Sequence, residues 1–222
     1  AFPGAAHVVA GQFNAGVDRW LDLAVASASL QAVRVYFGDG TGGFGPPATV
    51  LDGPDTGPLL RGLVTGDVDA DGSPDLVAVL EAGDASATVY ALRGSPEGRF
   101  TTVATPLPAG SGFPRGGLAV GQFAGGAALD VIGIASSGAP VLGPPALGLL
   151  VGDGAGGFTP VRAPLGSLTN AIDPQALAVA DFDEDGRLDV AVSDLSPVGG
   201  PNNWSRSFID LLLGDGRGGF RL

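Results

Sequence analysis

The chain contains no cysteine and no methionine, and all 11 of its basic residues are arginine, so lysine is missing as well. Without cysteine there is no disulfide and no thiol chemistry, although a bound metal can staple a fold in a disulfide's place. One histidine, His7, is the whole stock of imidazole, and it sits in an apolar, strand-like segment. Nucleophile–base catalysis therefore has almost nothing to draw on, and the chain is expected not to be an enzyme. Long apolar runs are missing too: no stretch approaches the ~20 residues of a membrane-crossing helix. The opening AFPGAAHVV lacks the charged and apolar regions of a signal peptide, so an exported protein would be seen here in mature or trimmed form.

Positive charge is also scarce. With 23 acidic residues the formal net charge is -12, which disfavours nucleic acid and anionic membrane surfaces and favours cations. Membrane insertion and nucleic-acid binding are accordingly not expected. The 222 residues, 45% of them hydrophobic, can bury a substantial core.

Glycine (39) and proline (18) are abundant, but they recur with a period and so mark turns, not low complexity. Four segments superpose. Each opens with an apolar strand, HVVAGQF (7–13), GLVTGDV (62–68), LAVGQF (118–123) or ALAVADF (176–182). A loop then leads to an aspartate and a second strand, and the four aspartates, Asp22, Asp75, Asp130 and Asp189, are 53, 55 and 59 residues apart. A third strand runs into a glycine turn and a phenylalanine, as in VYFGDGTGGF, YALRGSPEGRF, LLVGDGAGGF and LLLGDGRGGF. Segments such as GPPATVL (45–51) and TTVATPL (101–107), β-branched residues beside proline, read as outer edge strands.

Helical periodicity is absent, and apolar runs of a few residues are cut by Gly, Pro and Asp. The pattern predicts an all-β chain, a β-propeller of four-stranded antiparallel blades with four repeats at about 1–57, 58–112, 113–171 and 172–222, forming one domain. Phe44, Phe100, Phe158 and Phe220 are expected to fill the gaps between blades. The fourth unit stops two residues after Phe220, so its outer strand is expected to be missing. Three arrangements stay open: an excerpt of a longer propeller, a four-bladed ring with a weak seam, or a protomer that completes its sheet by strand addition from another chain.

Two of the loops carry D-x-D-x-D-G-x-x-D: DVDADGSPD (67–75) and DFDEDGRLD (181–189). Alternating carboxylates direct hard oxygens at one point, and the sixth-place glycine permits the bend, which suits calcium. The expected ligands are Asp67, Asp69, Asp71 and Asp75 with the Ser73 carbonyl, and Asp181, Asp183, Asp185 and Asp189 with the Arg187 carbonyl. An EF-hand would need a bidentate glutamate where Ala78 and Val192 stand, and flanking helices. Acidic turns form without metal, since Asp and Gly are common turn residues, but four crowded carboxylates repel unless a cation neutralises them. The third loop keeps only Asp130 and is expected to bind no metal; the first, with Asn14, Asp18 and Asp22, is expected to close on local hydrogen bonds in preference to forming an irregular metal site.

These loops and the GDGxGGF turns resemble the FG-GAP or VCBS repeats of integrin α-subunit propellers, bacterial surface proteins and some fungal lectins. The resemblance covers nearly the whole chain and implies an extracellular, secreted or cell-surface propeller with structural calcium at two sites. Adhesion, scaffolding or self-assembly is the function it implies, with a protein or glycan surface, or another copy, as partner. A carbohydrate-binding lectin is the alternative, and a polysaccharide-acting enzyme a more remote one. The longest intervening loop, LSPVGGPNNWSRSF, holds Asn202, Asn203, Trp204 and Arg206, polar groups around an aromatic of the kind that grips sugars or proteins; Trp204 packing on an adjoining blade is the plainer reading.

Overall fold

A computed structural model describes residues 2–53, 59–82, 86–107, 117–135, 146–167, 174–197 and 205–222. Among the described residues there is no helix, and no helix is long and apolar enough to cross a membrane. Sixteen strands form four antiparallel sheets of four, each a run of consecutive hairpins.

The first sheet comprises β1 (Ala5–Gly11), β2 (Asp22–Ser27), β3 (Ala32–Tyr36) and β4 (Ala48–Asp52). The second comprises β5 (Leu59–Gly66), β6 (Asp75–Glu81), β7 (Ala87–Gly94) and β8 (Phe100–Leu107). In the third lie β9 (Leu118–Gly121), β10 (Asp130–Ala135), β11 (Ala146–Gly152) and β12 (Phe158–Ser167). The fourth holds β13 (Pro174–Ala180), β14 (Asp189–Pro197), β15 (Ser205–Gly214) and β16 (Phe220–Arg221).

These are the four predicted blades. Each first strand ends earlier than its apolar run, at Gly11, Gly66, Gly121 and Ala180, because the next residues turn into the aspartate loop. The apolar residue two places after that end leaves the ladder and enters the core in three sheets: Phe13, Val68 and Phe123 are 1–2% exposed. The outer strand of the fourth sheet, expected to be missing, is present in short form: the chain turns back after Gly214, and β16 pairs with Leu213 and Gly214 of β15.

One predicted loop is corrected. The segment 195–208 is not all loop: Leu195–Pro197 and Ser205–Phe208 continue the β14–β15 ladder, with Ser196 opposite Arg206 and Pro197 opposite Ser205. Hairpin pairing that starts at Val190–Leu212 runs on in register, so backbone hydrogen bonding extends past the apolar stretch that marked the strand. Asn202, Asn203 and Trp204 lie outside the described residues.

Sheets pack face to face in chain order, and each contact is a separate apolar core. Between the first and second sheets lie Ala24, Ala26, Val33 and Val35 against Leu63, Leu76, Ala78 and Leu92. Val77, Val79, Val89 and Ala91 meet Val131 and Leu150 between the second and third. Ile132, Ile134, Leu147 and Leu149 meet Val190, Val192 and Leu212 between the third and fourth.

Phe100, Phe158 and Phe220 take part in these three cores as expected. Phe44 does not: it is 47% exposed, because the face of the first sheet on which it lies has no sheet packed against it among the described residues. The arrangement is propeller-like.

Candidate metal centre

Every loop between a first and a second strand is built on its junction aspartate. Asp75 Oδ2 accepts from Val68 N at 2.8 Å, and its Oδ1 from Gly94 N at 2.7 Å. The same fork recurs at Asp22 with Phe13 N and Gly38 N, at Asp130 with Phe123 N, Ala124 N and Gly152 N, and at Asp189 with Phe182 N and Gly214 N. One carboxylate thus ties the start of the loop, the second strand and the end of the third strand together. All four aspartates are buried, between 0% and 2% exposed. This structural role was hidden in the sequence behind the metal-ligand pattern, although the presence of Asp22 and Asp130 in loops without the D-x-D-x-D run was the signal for it.

On that frame the second and fourth loops are near copies. Asp67 Oδ1 accepts from Asp71 N and its Oδ2 from Gly72 N, while Asp71 Oδ1 accepts from Ser73 N. In the fourth loop Asp181 accepts from Asp185 N and Gly186 N, and Asp185 Oδ1 from Arg187 N. Gly72 and Gly186 have φ of 89° and 85°, the left-handed bend that the sixth place requires. Ala70 and Glu184, two residues earlier, are also left-handed at 58° and 60°.

The carboxylates converge. One oxygen each from Asp67, Asp69 and Asp71 lie within 4.8 Å of one another, as do those of Asp181, Asp183 and Asp189. Hard oxygens concentrated in this way fit calcium; an oxygen that accepts one hydrogen bond keeps a lone pair for a cation. Of the remaining expected ligands, Asp75 sits beneath the second loop on its backbone fork, Ser73 is buried beside it, and Asp185 is paired with the Arg187 guanidinium.

Burial dominates the electrostatics beneath the second loop. Burial above all, and then the charges of Asp69 and Asp71, push Asp75 up to about 6, against the lowering effect of the Gly94 and Val68 N–H groups. Arg93, at the end of β7, brings one guanidinium nitrogen to 3.6 Å from Asp69 Oδ2, and Arg187 Nε also donates to Gly214 O at 3.3 Å. Each acidic loop therefore has one arginine at its rim, which offsets only part of its charge.

The other two loops close differently. Asn14 Nδ2 donates to Asp18 Oδ2 at 3.0 Å, Asp18 Oδ1 accepts from Trp20 N, and Gln12 Nε2 donates to the Asp18 carbonyl. The third loop is held by Asp130 and by Gln122 Nε2 donating to Ala127 O. The glycine turns are self-contained: Asp39 Oδ1 accepts from Thr41 N and Gly43 N, and Asp215 Oδ1 from Arg217 N and Gly219 N, bonds that hold both carboxyls below the usual range.

Residues 17–78 match the model of the FG-GAP-like repeat. The match starts in the loop of the first sheet, runs through β2 to β5 and the whole DVDADGSPD loop, and ends in β6. A comparison with curated proteins finds no match.

Proposed function

The chain carries an FG-GAP-like repeat within a propeller-like array of four antiparallel sheets, and from that premise we propose that it is a calcium-stabilised, non-catalytic extracellular module for adhesion or scaffolding. The observation that carries the reading is the paired convergence of Asp67, Asp69 and Asp71 and of Asp181, Asp183 and Asp189 on backbone-built loops. Calcium bound there neutralises carboxylates that otherwise repel, and fixes two inter-strand loops at one end of their sheets. Asp75 and Asp189 hold the loop ends from below, while the Ser73 and Arg187 carbonyls are the backbone ligands that the loop pattern supplies.

A scaffolding role agrees with the chemistry at hand. His7, the single histidine, is partly buried in β1 opposite Ala26, where burial lowers its pKa, and it stands apart from both acidic loops.

Calorimetric titration with calcium tests the reading. Two equivalents are expected to bind the chain, one to a chain with Asp69→Asn, and one to a chain with Asp183→Asn. Absence of any heat of binding, or stoichiometry unchanged by both substitutions, would overturn the assignment.

A further inference from the structure

The two acidic loops share one backbone plan but differ in how their carboxylates are arranged. In the second loop the converging oxygens belong to Asp67, Asp69 and Asp71, the first, third and fifth places of the motif. In the fourth they belong to Asp181, Asp183 and Asp189, the first, third and ninth places. Asp185, at the fifth place, stands outside the fourth set, although its counterpart Asp71 is part of the second.

The residue at the seventh place accounts for the difference. Asp71 Oδ1 accepts from Ser73 N at 2.7 Å, and Asp71 Oδ2 has no hydrogen-bond partner among the described residues. Asp185 Oδ1 makes the equivalent bond, accepting from Arg187 N at 2.9 Å, but its Oδ2 is taken by the Arg187 guanidinium. Serine at the seventh place thus leaves the fifth-place carboxylate one open oxygen, whereas arginine there engages both.

Arg187 is held at three points. Its aliphatic stem lies over Gly216, in the turn of the same sheet, where a Cβ would stand 2.8 Å from Arg187 Cδ. Its Nε donates to Gly214 O at 3.3 Å, and the end of the guanidinium rests on Asp185. All three contacts are made by the loop and turn of the fourth sheet itself.

The arginine beside the second loop acts differently. Arg93 comes from β7, and its guanidinium stops 3.6 Å from Asp69 Oδ2, beyond hydrogen-bond distance. Its buried Nε has no partner. Arg93 therefore offsets charge without tying up a carboxylate oxygen, and Asp69 stays within the converging set.

We propose that Arg187 is a built-in counter-ion that makes the two loops unequal, so that the second fills at lower calcium concentration and the fourth at higher. The inference rests on the calcium reading above and adds a graded response to it. Asp185 can turn its second oxygen to a cation only by giving up the guanidinium, whereas Asp71 has an oxygen already open. The Asp185–Arg187 pair is partly exposed, its side chains 26% and 48% accessible, and a pair of that kind is worth about threefold to fivefold in an equilibrium constant. Salt screens it, so the gap between the loops is expected to narrow as ionic strength rises.

Calorimetric titration with calcium reads the loops one at a time: the Asp183→Asn chain reports the second loop, and the Asp69→Asn chain the fourth. The dissociation constant is expected to be about threefold to fivefold larger in the Asp69→Asn chain. Adding Arg187→Gln to that chain keeps the backbone carbonyl at 187 and removes the guanidinium, and is expected to recover the whole factor. Arg217→Gln, which removes the same charge from the neighbouring turn, is expected to recover only a small part of it. Cooperative melting in chelator checks that each variant is folded. Equal constants at the two loops, a tighter fourth loop, no gain from Arg187→Gln, or an equal gain from Arg217→Gln would each overturn the proposal and leave the metal reading standing. Failure of both chains to bind calcium would overturn the two together.

Discussion

Gly94 N donates a 2.7 Å hydrogen bond to Asp75 Oδ1 across 19 residues of chain, tying the end of the third strand to the start of the second beneath an acidic loop. The bond is part of a fork present in all four sheets, with or without the acidic set above it. The fork and the candidate metal loop therefore meet at the junction aspartate, and the two contributions can be separated by choosing the loop in which it is changed.

Asp130 offers that separation, since its loop lacks the other aspartates. Asp130→Ala leaves the buried N–H groups of Phe123 and Gly152 without their acceptor. Each such group costs about 1–3 kcal/mol. The expected result is a loss of about 3 kcal/mol in urea denaturation, equal in calcium and in chelator. A loss seen only in calcium would assign this loop to the metal.

At Gly72 the constraint is purely conformational. Its φ is 89°, and a Cβ built there meets no atom within 4 Å. Gly72→Ala is expected to cost about 1–2 kcal/mol through the left-handed backbone alone, with a parallel loss at Gly186→Ala. Chemical denaturation in chelator measures it.

Arg93 places positive charge 3.6 Å from Asp69 Oδ2, where a cation would compete with it. Arg93→Gln is expected to raise calcium affinity at the second loop several-fold and leave the fourth loop unchanged. The gain should shrink in high salt, because the guanidinium is partly exposed and screened. Titration of a chain that also carries Asp183→Asn isolates the affected site.

Phe13, 1% exposed, spans the first two sheets through its contact with Phe100. Phe13→Ala is expected to cost about 3–5 kcal/mol, read as a lower denaturation midpoint. Phe182→Ala, at the exposed equivalent position, is expected to cost far less in dilute solution.

Strand order, repeat length and the acidic loops were legible in the sequence because each rests on local chemistry: alternating apolar runs, left-handed turn glycines and spaced carboxylates. The second role of the junction aspartates was harder to see, because their partners are backbone N–H groups that any residue supplies. The environment of Phe44 was misjudged for a related reason. It ends the same GDGxGGF turn as Phe158, 6% exposed, and the absence of a neighbouring sheet among the described residues sets it apart. The hairpin extension to Pro197 and Ser205 likewise depends on inter-strand register, and register leaves little trace in a segment rich in Ser, Pro and Gly.

Thermal unfolding in calcium and in chelator tests the calcium-stabilised reading most directly. A ligand at a hundred times its dissociation constant stabilises by about 2.7 kcal/mol per site, and in a chain of this size each kcal/mol moves the midpoint by about 2–4 °C. With two sites, the midpoint in calcium is expected to exceed that in chelator by about 10 °C or more, and half of that difference should vanish with Asp69→Asn. Identical midpoints in the two conditions would contradict it.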